Sequence, residues 1–179
     1  MVNNLPIIFS WWFIFFNLGI IFLPLTFKLF PAFFDRGYAF SKILGVLLVS
    51  YTVWLLGSLK FLSFSASHIF LIILIFSLIS LYLSRRFRKD LIQDFRTNWK
   101  ILLFEEVLFL AMLTFWSFIR GFQPNIEGLE KFMDFGFVNS LLRSQYFPPA
   151  DMWMAGKTIN YYYFGHLITA VLTKISGID

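Results

Sequence analysis

The stretch IIFSWWFIFFNLGIIFLPLTF, residues 7–27, runs without one charged side chain. A helix that crosses a hydrocarbon core about 30 Å thick needs roughly 20 predominantly apolar residues, so this stretch by itself places the chain in a bilayer. Similar runs follow at residues 43–59, 65–83 and 101–119, the last carrying Glu105 and Glu106 near its start. A fifth is expected from Ile159 toward Ile175. The fold expected is all-α: a polytopic transmembrane helical bundle of about five spans. None of these runs reads as a cleaved signal peptide, because residues 1–6 contain no basic residue and the first run is too long for an h-region. An odd number of spans ending almost at Asp179 suggests the N-terminal part of a larger protein.

Composition agrees with this reading. Of 179 residues, 59% are hydrophobic, 26 are Phe, and only 14% are charged, where a soluble domain carries about 25%. That excludes an ordinary water-soluble globule, and high hydrophobicity excludes disorder. With no cysteine, a disulfide-built module is excluded as well. The net charge of +5 is explained by position. Lys28, Arg36 and Lys42 lie between the first two spans, and Arg85, Arg86, Arg88, Lys89, Arg96 and Lys100 between the third and fourth. The positive-inside rule puts both connections in the cytoplasm, which makes the bilayer, and not nucleic acid, the expected partner. The organisation expected is three spans in residues 1–83, a basic cytoplasmic connection in 84–100, and a module in 101–179. That module holds the fourth span, an extracytoplasmic loop (120–158) and the fifth span; the N-terminus is also outside. Arg85 to Lys89 reads as an anchor among anionic head groups. Glu105 and Glu106, close to Lys100 in sequence, are expected to pair at the interface.

The loop of about forty residues exceeds the usual dozen or so, and it is aromatic and well punctuated. Residues 132–146 are expected to form one amphipathic helix halted by Pro148 and Pro149. At about 100° per residue from Phe132, Asn139, Arg143, Gly136, Ser140 and Ser144 share one arc, while Leu141, Val138, Leu142, Phe135 and Tyr146 fill the other. Such a helix can lie on the membrane with its apolar side down. Asp134 falls within the apolar arc, and extending the helix backward brings Glu130 and Glu127 onto the same stripe. Macrodipole stabilisation in the first turn accounts for such acids without a function. A carboxylate facing apolar surroundings can instead act as a general base or hold a cation. Asp151 reads as the cap of a short turn or as a site residue. His166 reads as a hydrogen-bonded helix-contact residue, and His68 as interfacial. Three consecutive helical tyrosines, Tyr161, Tyr162 and Tyr163, would fan over about 200°, too wide for one pocket.

The segments Glu130-Lys131-Phe132-Met133-Asp134, Asn139-Ser140-Leu141-Leu142-Arg143-Ser144, Tyr146 to Gly156 and Ile159-Asn160-Tyr161-Tyr162-Tyr163-Phe164-Gly165 together resemble the signature of the YYY-domain membrane proteins of bacteria and archaea. At a greater distance, an outward-going span followed by acids, a short helix, an aromatic-Pro segment and an aromatic entry into the next span is similar to the first outer loop of GT-C glycosyltransferases. Those enzymes take a sugar from a polyprenyl-phosphate donor and use an acid of this loop as base or metal ligand. The chain has Glu130 and Asp134 one turn apart where those enzymes have an adjacent Asp-Glu pair.

The resemblance implies an integral protein of a prokaryotic plasma membrane that transfers sugar from a polyprenyl-phosphate donor. It implies Glu130 or Asp134 as base, and a divalent cation held by the same acids. It further implies Asp151, Arg120, Arg143, Lys157, Asn160 and the tyrosines Tyr161, Tyr162 and Tyr163 as substrate-binding residues. Two other classes remain open, a transporter or lipid-handling channel and a non-catalytic scaffold. A transporter calls for ionisable residues at the centres of spans.

Overall fold

The computed structural model describes residues 5–128 and 130–178. It contains α1 (Leu5–Leu29), α2 (Tyr38–Ser58), α3 (Ala66–Arg86), α4 (Arg88–Gly121), α5 (Lys131–Arg143) and α6 (Phe164–Ser176). The only pairing of extended backbone among the described residues is an isolated antiparallel bridge between Ala150 and Thr158. Helices α1 to α4 are each long and apolar enough to cross a membrane. The chain is a polytopic helical membrane bundle. It divides into two compact units, Met1–Val46 with Leu74–Gln123, and Leu47–Ile73 with Pro124–Asp179.

In the first unit, aromatic rings fill the space between helices: Phe22 lies 5.0 Å from Phe76, and Phe15 lies 5.5 Å from Phe109. One polar knot sits among them. Glu106 accepts hydrogen bonds from Trp12 Nε1 (2.7 Å), Tyr38 OH (2.6 Å) and Lys42 Nζ (2.6 Å). Lys42 and Glu106 are both buried. This corrects the expected interfacial pairing of Glu106 with Lys100. The partner lies four residues after Tyr38, on the same face of α2.

Within residues 84–100, expected as a basic cytoplasmic connection, the backbone is helical on both sides of Phe87, with 84–86 closing α3 and 88–100 opening α4. No glycine or proline interrupts residues 88–120, so nothing stops the helix at Ile101, and α4 extends to 34 residues. Asp35 starts α2 by accepting from the backbone N–H groups of Gly37 and Ala39, both at 3.0 Å.

In the second unit, the residues between α5 and α6 fold back on themselves. The Ile159 N–H donates to the Pro149 carbonyl (2.9 Å) and the Asp151 N–H to that of Lys157 (2.8 Å). These bonds occupy the segment from which the fifth span was expected to start, so α6 begins only at Phe164 with Tyr163 as its N-cap. It ends at Gly177 in the left-handed conformation, φ 63, whose N–H caps the Thr173 carbonyl. Its 13 residues make a rod of about 20 Å, shorter than a full crossing. Phe147, buried and 5.2 Å from Phe64, presses on α2 where Gly57 has no side chain; a Cβ there would come within 2.7 Å of the ring.

Helix α5 also differs from expectation. It closes at Arg143, where Ser144 turns extended, before the prolines are reached. Its buried residues are Phe137, Ser140 and Leu141, so it packs through the border between the two arcs. Ser140 Oγ donates to the Ala150 carbonyl, and Gly136 lets the Met152 side chain approach. Phe135, expected on the side facing the membrane, is not covered by the protein.

Replacing Glu106 by Leu strands a buried ammonium, a phenol and an indole N–H. We expect it to lower unfolding free energy by about 3–5 kcal/mol, read by thermal unfolding in detergent micelles. The double variant Lys42→Met/Glu106→Leu should lose less than Glu106→Leu alone; an equal or greater loss would show that the pair is not the source of the penalty.

Candidate functional site at the tyrosine triplet

Asp134 sits in the first turn of α5 and His166 in the first turn of α6. The two elements bring His166 Nε2 to 2.9 Å from Asp134 Oδ1. The carboxylate side chain is 53% exposed and the imidazole 18%, so the pair has a solvent-facing acid and a sheltered ring. Phe137, one turn after Asp134, holds that ring edge-on at 5.2 Å and also touches Trp153 and Tyr161. His166 Nδ1 is buried and has no hydrogen-bond partner among the described residues. A proton on Nδ1 would bury an N–H with no acceptor, which leaves Nε2 as the donor to Asp134.

Tyr161 and Tyr162 stack at 3.9 Å, and the Tyr161 hydroxyl donates to that of Tyr162 at 2.6 Å. This hydrogen bond, then partial desolvation and the fields of Tyr162, Glu130 and Asp134, hold the Tyr161 phenol above its ordinary value. Tyr161 therefore stays a neutral donor, and the Tyr162 hydroxyl hydrogen is left to point elsewhere. All three tyrosines line one groove of about 400 Å³ with Tyr51, Trp54 and Phe164. The expected fan of three helical positions does not apply, because residues 161–163 precede the helix. Trp54 Nε1 fixes Tyr163 by donating to its hydroxyl at 3.1 Å.

The remaining candidates are dispersed. Glu130 is exposed at the N-cap of α5 without a side-chain capping bond. Glu127 lies outside the helix, because Gly128 at φ 94 breaks the backward extension. Asp151 Oδ1 accepts from the N–H groups of Trp153 (2.8 Å) and Met154 (3.0 Å), the turn-capping arrangement. Arg143, Lys157 and Asn160 are exposed. Arg120 belongs to the first unit and donates to the Gln123 carbonyl. Among the described residues no group of three or more His, Cys, Asp or Glu is gathered to hold a metal ion.

Two members of the site were not singled out from sequence, Tyr51 and Trp54, and no local pattern distinguishes them from other aromatic residues of a span. His166 was legible as a contact residue. Its acidic partner was not, since 32 residues separate the two.

Apolar helices together with this loop define an integral membrane protein of the polytopic helical class. Residues 48–179 match the family described as "Uncharacterized membrane protein (DUF2298)", and the chain belongs to that family. No curated protein and no solved structure matches the chain.

The chain contains two histidines, so ¹⁵N-histidine labelling gives a spectrum that the single variant His68→Gln assigns. His166 should show the proton on Nε2, and Asp134→Asn should shift that signal while leaving the His68 signal in place. A proton found on Nδ1 would contradict the pairing.

Proposed function

We propose that the chain is a YYY-domain, GT-C-like glycosyltransferase module that transfers a sugar from a polyprenyl-phosphate donor at the outer face of a prokaryotic plasma membrane, with Asp134 as general base. The observation that supports this reading is the Asp134–His166 pair set beside a groove walled by aromatic rings. The carboxylate is both held in one orientation and open to solvent, which a base needs. His166 acts as a positioning residue by donating Nε2–H to Oδ1, so that Oδ2 faces the acceptor.

In the step proposed, an acceptor hydroxyl loses its proton to Asp134 while its oxygen attacks the anomeric carbon. The bond from that carbon to the phosphate oxygen breaks, and polyprenyl phosphate leaves with the bonding electrons. The apolar groove at Tyr51, Trp54 and Tyr163 suits the donor's hydrocarbon chain. The stacked Tyr161 and Tyr162 offer a flat face and an outward hydroxyl to the sugar. Arg143 and Lys157 are the cations proposed for the phosphate, with Glu130, Asp151 and Asn160 proposed for the acceptor.

Transfer from a radiolabelled polyprenyl-phosphate sugar, measured in membranes containing the intact protein, tests this. Asp134→Asn should lower kcat by about 10²-fold or more. His166→Leu should lower kcat with little change in KM, and His166→Gln, which keeps an N–H donor, should recover part of it. Full activity in Asp134→Asn would remove the mechanism.

A transporter is the second reading, favoured by the buried Lys42–Glu106 pair within α2 and α4, because ionisable residues inside spans commonly mark translocation paths. It predicts substrate uptake into vesicles that Lys42→Met abolishes while Asp134→Asn leaves it intact.

A further inference from the structure

At about 1.5 Å per residue, the 34 residues of α4 extend roughly 51 Å, against a hydrocarbon core of about 30 Å. The uncharged part from Ile101 onward, apart from Glu105 and Glu106, is long enough to fill that core. The first turns, residues 88–100, therefore project from it. These turns nevertheless expose large apolar side chains: Ile92 is 43%, Phe95 60% and Trp99 47% exposed.

Their placement is ordered. With Ile92 at 0° and about 100° per residue, Phe95 and Trp99 fall near 300° and 340°, so the three make one stripe. Arg88, Arg96, Lys89 and Lys100 fall at about 320°, 40°, 60° and 80°, among and beside the stripe. The two acids of this segment lie across the helix, Asp90 near 160° and Asp94 near 200°. Asp94 is turned inward and engaged, with Arg36 Nε at 3.5 Å and Asn98 Nδ2 donating to it at 3.0 Å. The four cations of the outward face are all exposed. Two further cations gather at the same end, where Lys28 and Arg86 lie 5.9 Å and 6.0 Å from the centre of the Phe87 ring.

We infer that the outward face of α4 over residues 88–100 is a binding surface for anionic phospholipid, with Ile92, Phe95 and Trp99 among the upper acyl carbons and Arg88, Lys89, Arg96 and Lys100 on the head-group phosphates. An apolar stripe flanked by cations, with its acids segregated to the opposite side, matches a negatively charged interface in both polarity and sign. A zwitterionic surface would satisfy the stripe and give the four cations nothing to neutralise them. A second protein would need an apolar ridge bordered by acids. The exposed charges of this face are instead spaced along a helix that already emerges from lipid.

The chain has no cysteine, so single spin labels are clean reporters. Phe95→Cys and Thr97→Cys variants of the full chain, labelled and placed in nanodiscs of phosphatidylcholine alone or mixed with phosphatidylglycerol, separate the two faces. In the mixed discs the Phe95 label should gain oxygen access over access to an aqueous nickel reagent by about threefold or more, while the Thr97 label stays in water. High salt should reverse the gain in the unsubstituted background, and Arg88→Gln/Lys89→Gln/Arg96→Gln/Lys100→Gln should abolish it with thermal stability in detergent unchanged. A Phe95 label that stays water-exposed in both lipids would overturn the inference. So would one shielded equally in both and indifferent to salt, which would point to a protein occupant.

Discussion

A single buried carboxylate, Glu106 on α4, gathers a cation and two neutral donors from two other helices of the first unit: Lys42 and Tyr38 on α2, and Trp12 on α1, all within 2.7 Å. Charged groups are costly away from water, so any arrangement that separates them is strongly disfavoured. Around the knot lie contacts between aromatic rings, such as Trp12 with Phe16 and Phe15 with Phe109, and contacts of this kind set no hydrogen-bond geometry that would forbid a small slide or rotation. The polar contacts do not tolerate it. Tyr38 and Lys42 share a face of α2 only because they are four apart, and both reach Glu106 at only one rotation of that helix. A buried ion pair adds little net stability beside a well-packed apolar substitute. What it supplies is selection of one register among many apolar alternatives.

The spans were legible because membrane insertion depends on a sum over about 20 residues, and no single assignment decides it. The features that sequence left unread depend on contacts between distant residues. Lys100 is near Glu106 along the chain, and Lys42 is 64 residues away, so proximity in sequence favoured the wrong cation. The apolar run at 101–119 located the fourth span and not the start of its helix, which lies earlier at Arg88, because a helix needs no apolar residue to continue, only the absence of a breaker. The start of α6 was displaced the other way. Its expected first turn is tied by main-chain hydrogen bonds to residues 149–151, a pairing that hydropathy does not record.

Part of the site was legible for a different reason. Asp134 was conspicuous as an acid within an apolar arc, in a chain with only ten acids. The arc did not show which residues pack inside the fold, namely Phe137, Ser140 and Leu141. Helix α5 turns Ser140 and Gly136 inward because a hydroxyl can satisfy the Ala150 carbonyl and a missing side chain can admit Met152. Small and weakly polar residues count as surface in a hydrophobic pattern, yet they mark where another segment comes close. The tyrosine triplet was read through helical geometry that those residues do not adopt, and the wall of one groove was taken for a fan.

The four acids of the loop become distinguishable once their surroundings are compared. Asp151 spends its oxygen on two backbone N–H groups of its own turn. Glu127 stands outside the helix beyond a glycine of positive φ, and Glu130 lies exposed at the helix start without a capping bond. A proton acceptor must be accessible and must also spend most of its time aimed at one place. Accessibility without orientation describes the two glutamates, and orientation without an open role describes Asp151. Asp134 combines both, because its partner is an imidazole clamped edge-on by Phe137 and donating from Nε2. That contrast, which rests on contacts across 32 residues, is why Asp134 is the base proposed in preference to its neighbour one turn away.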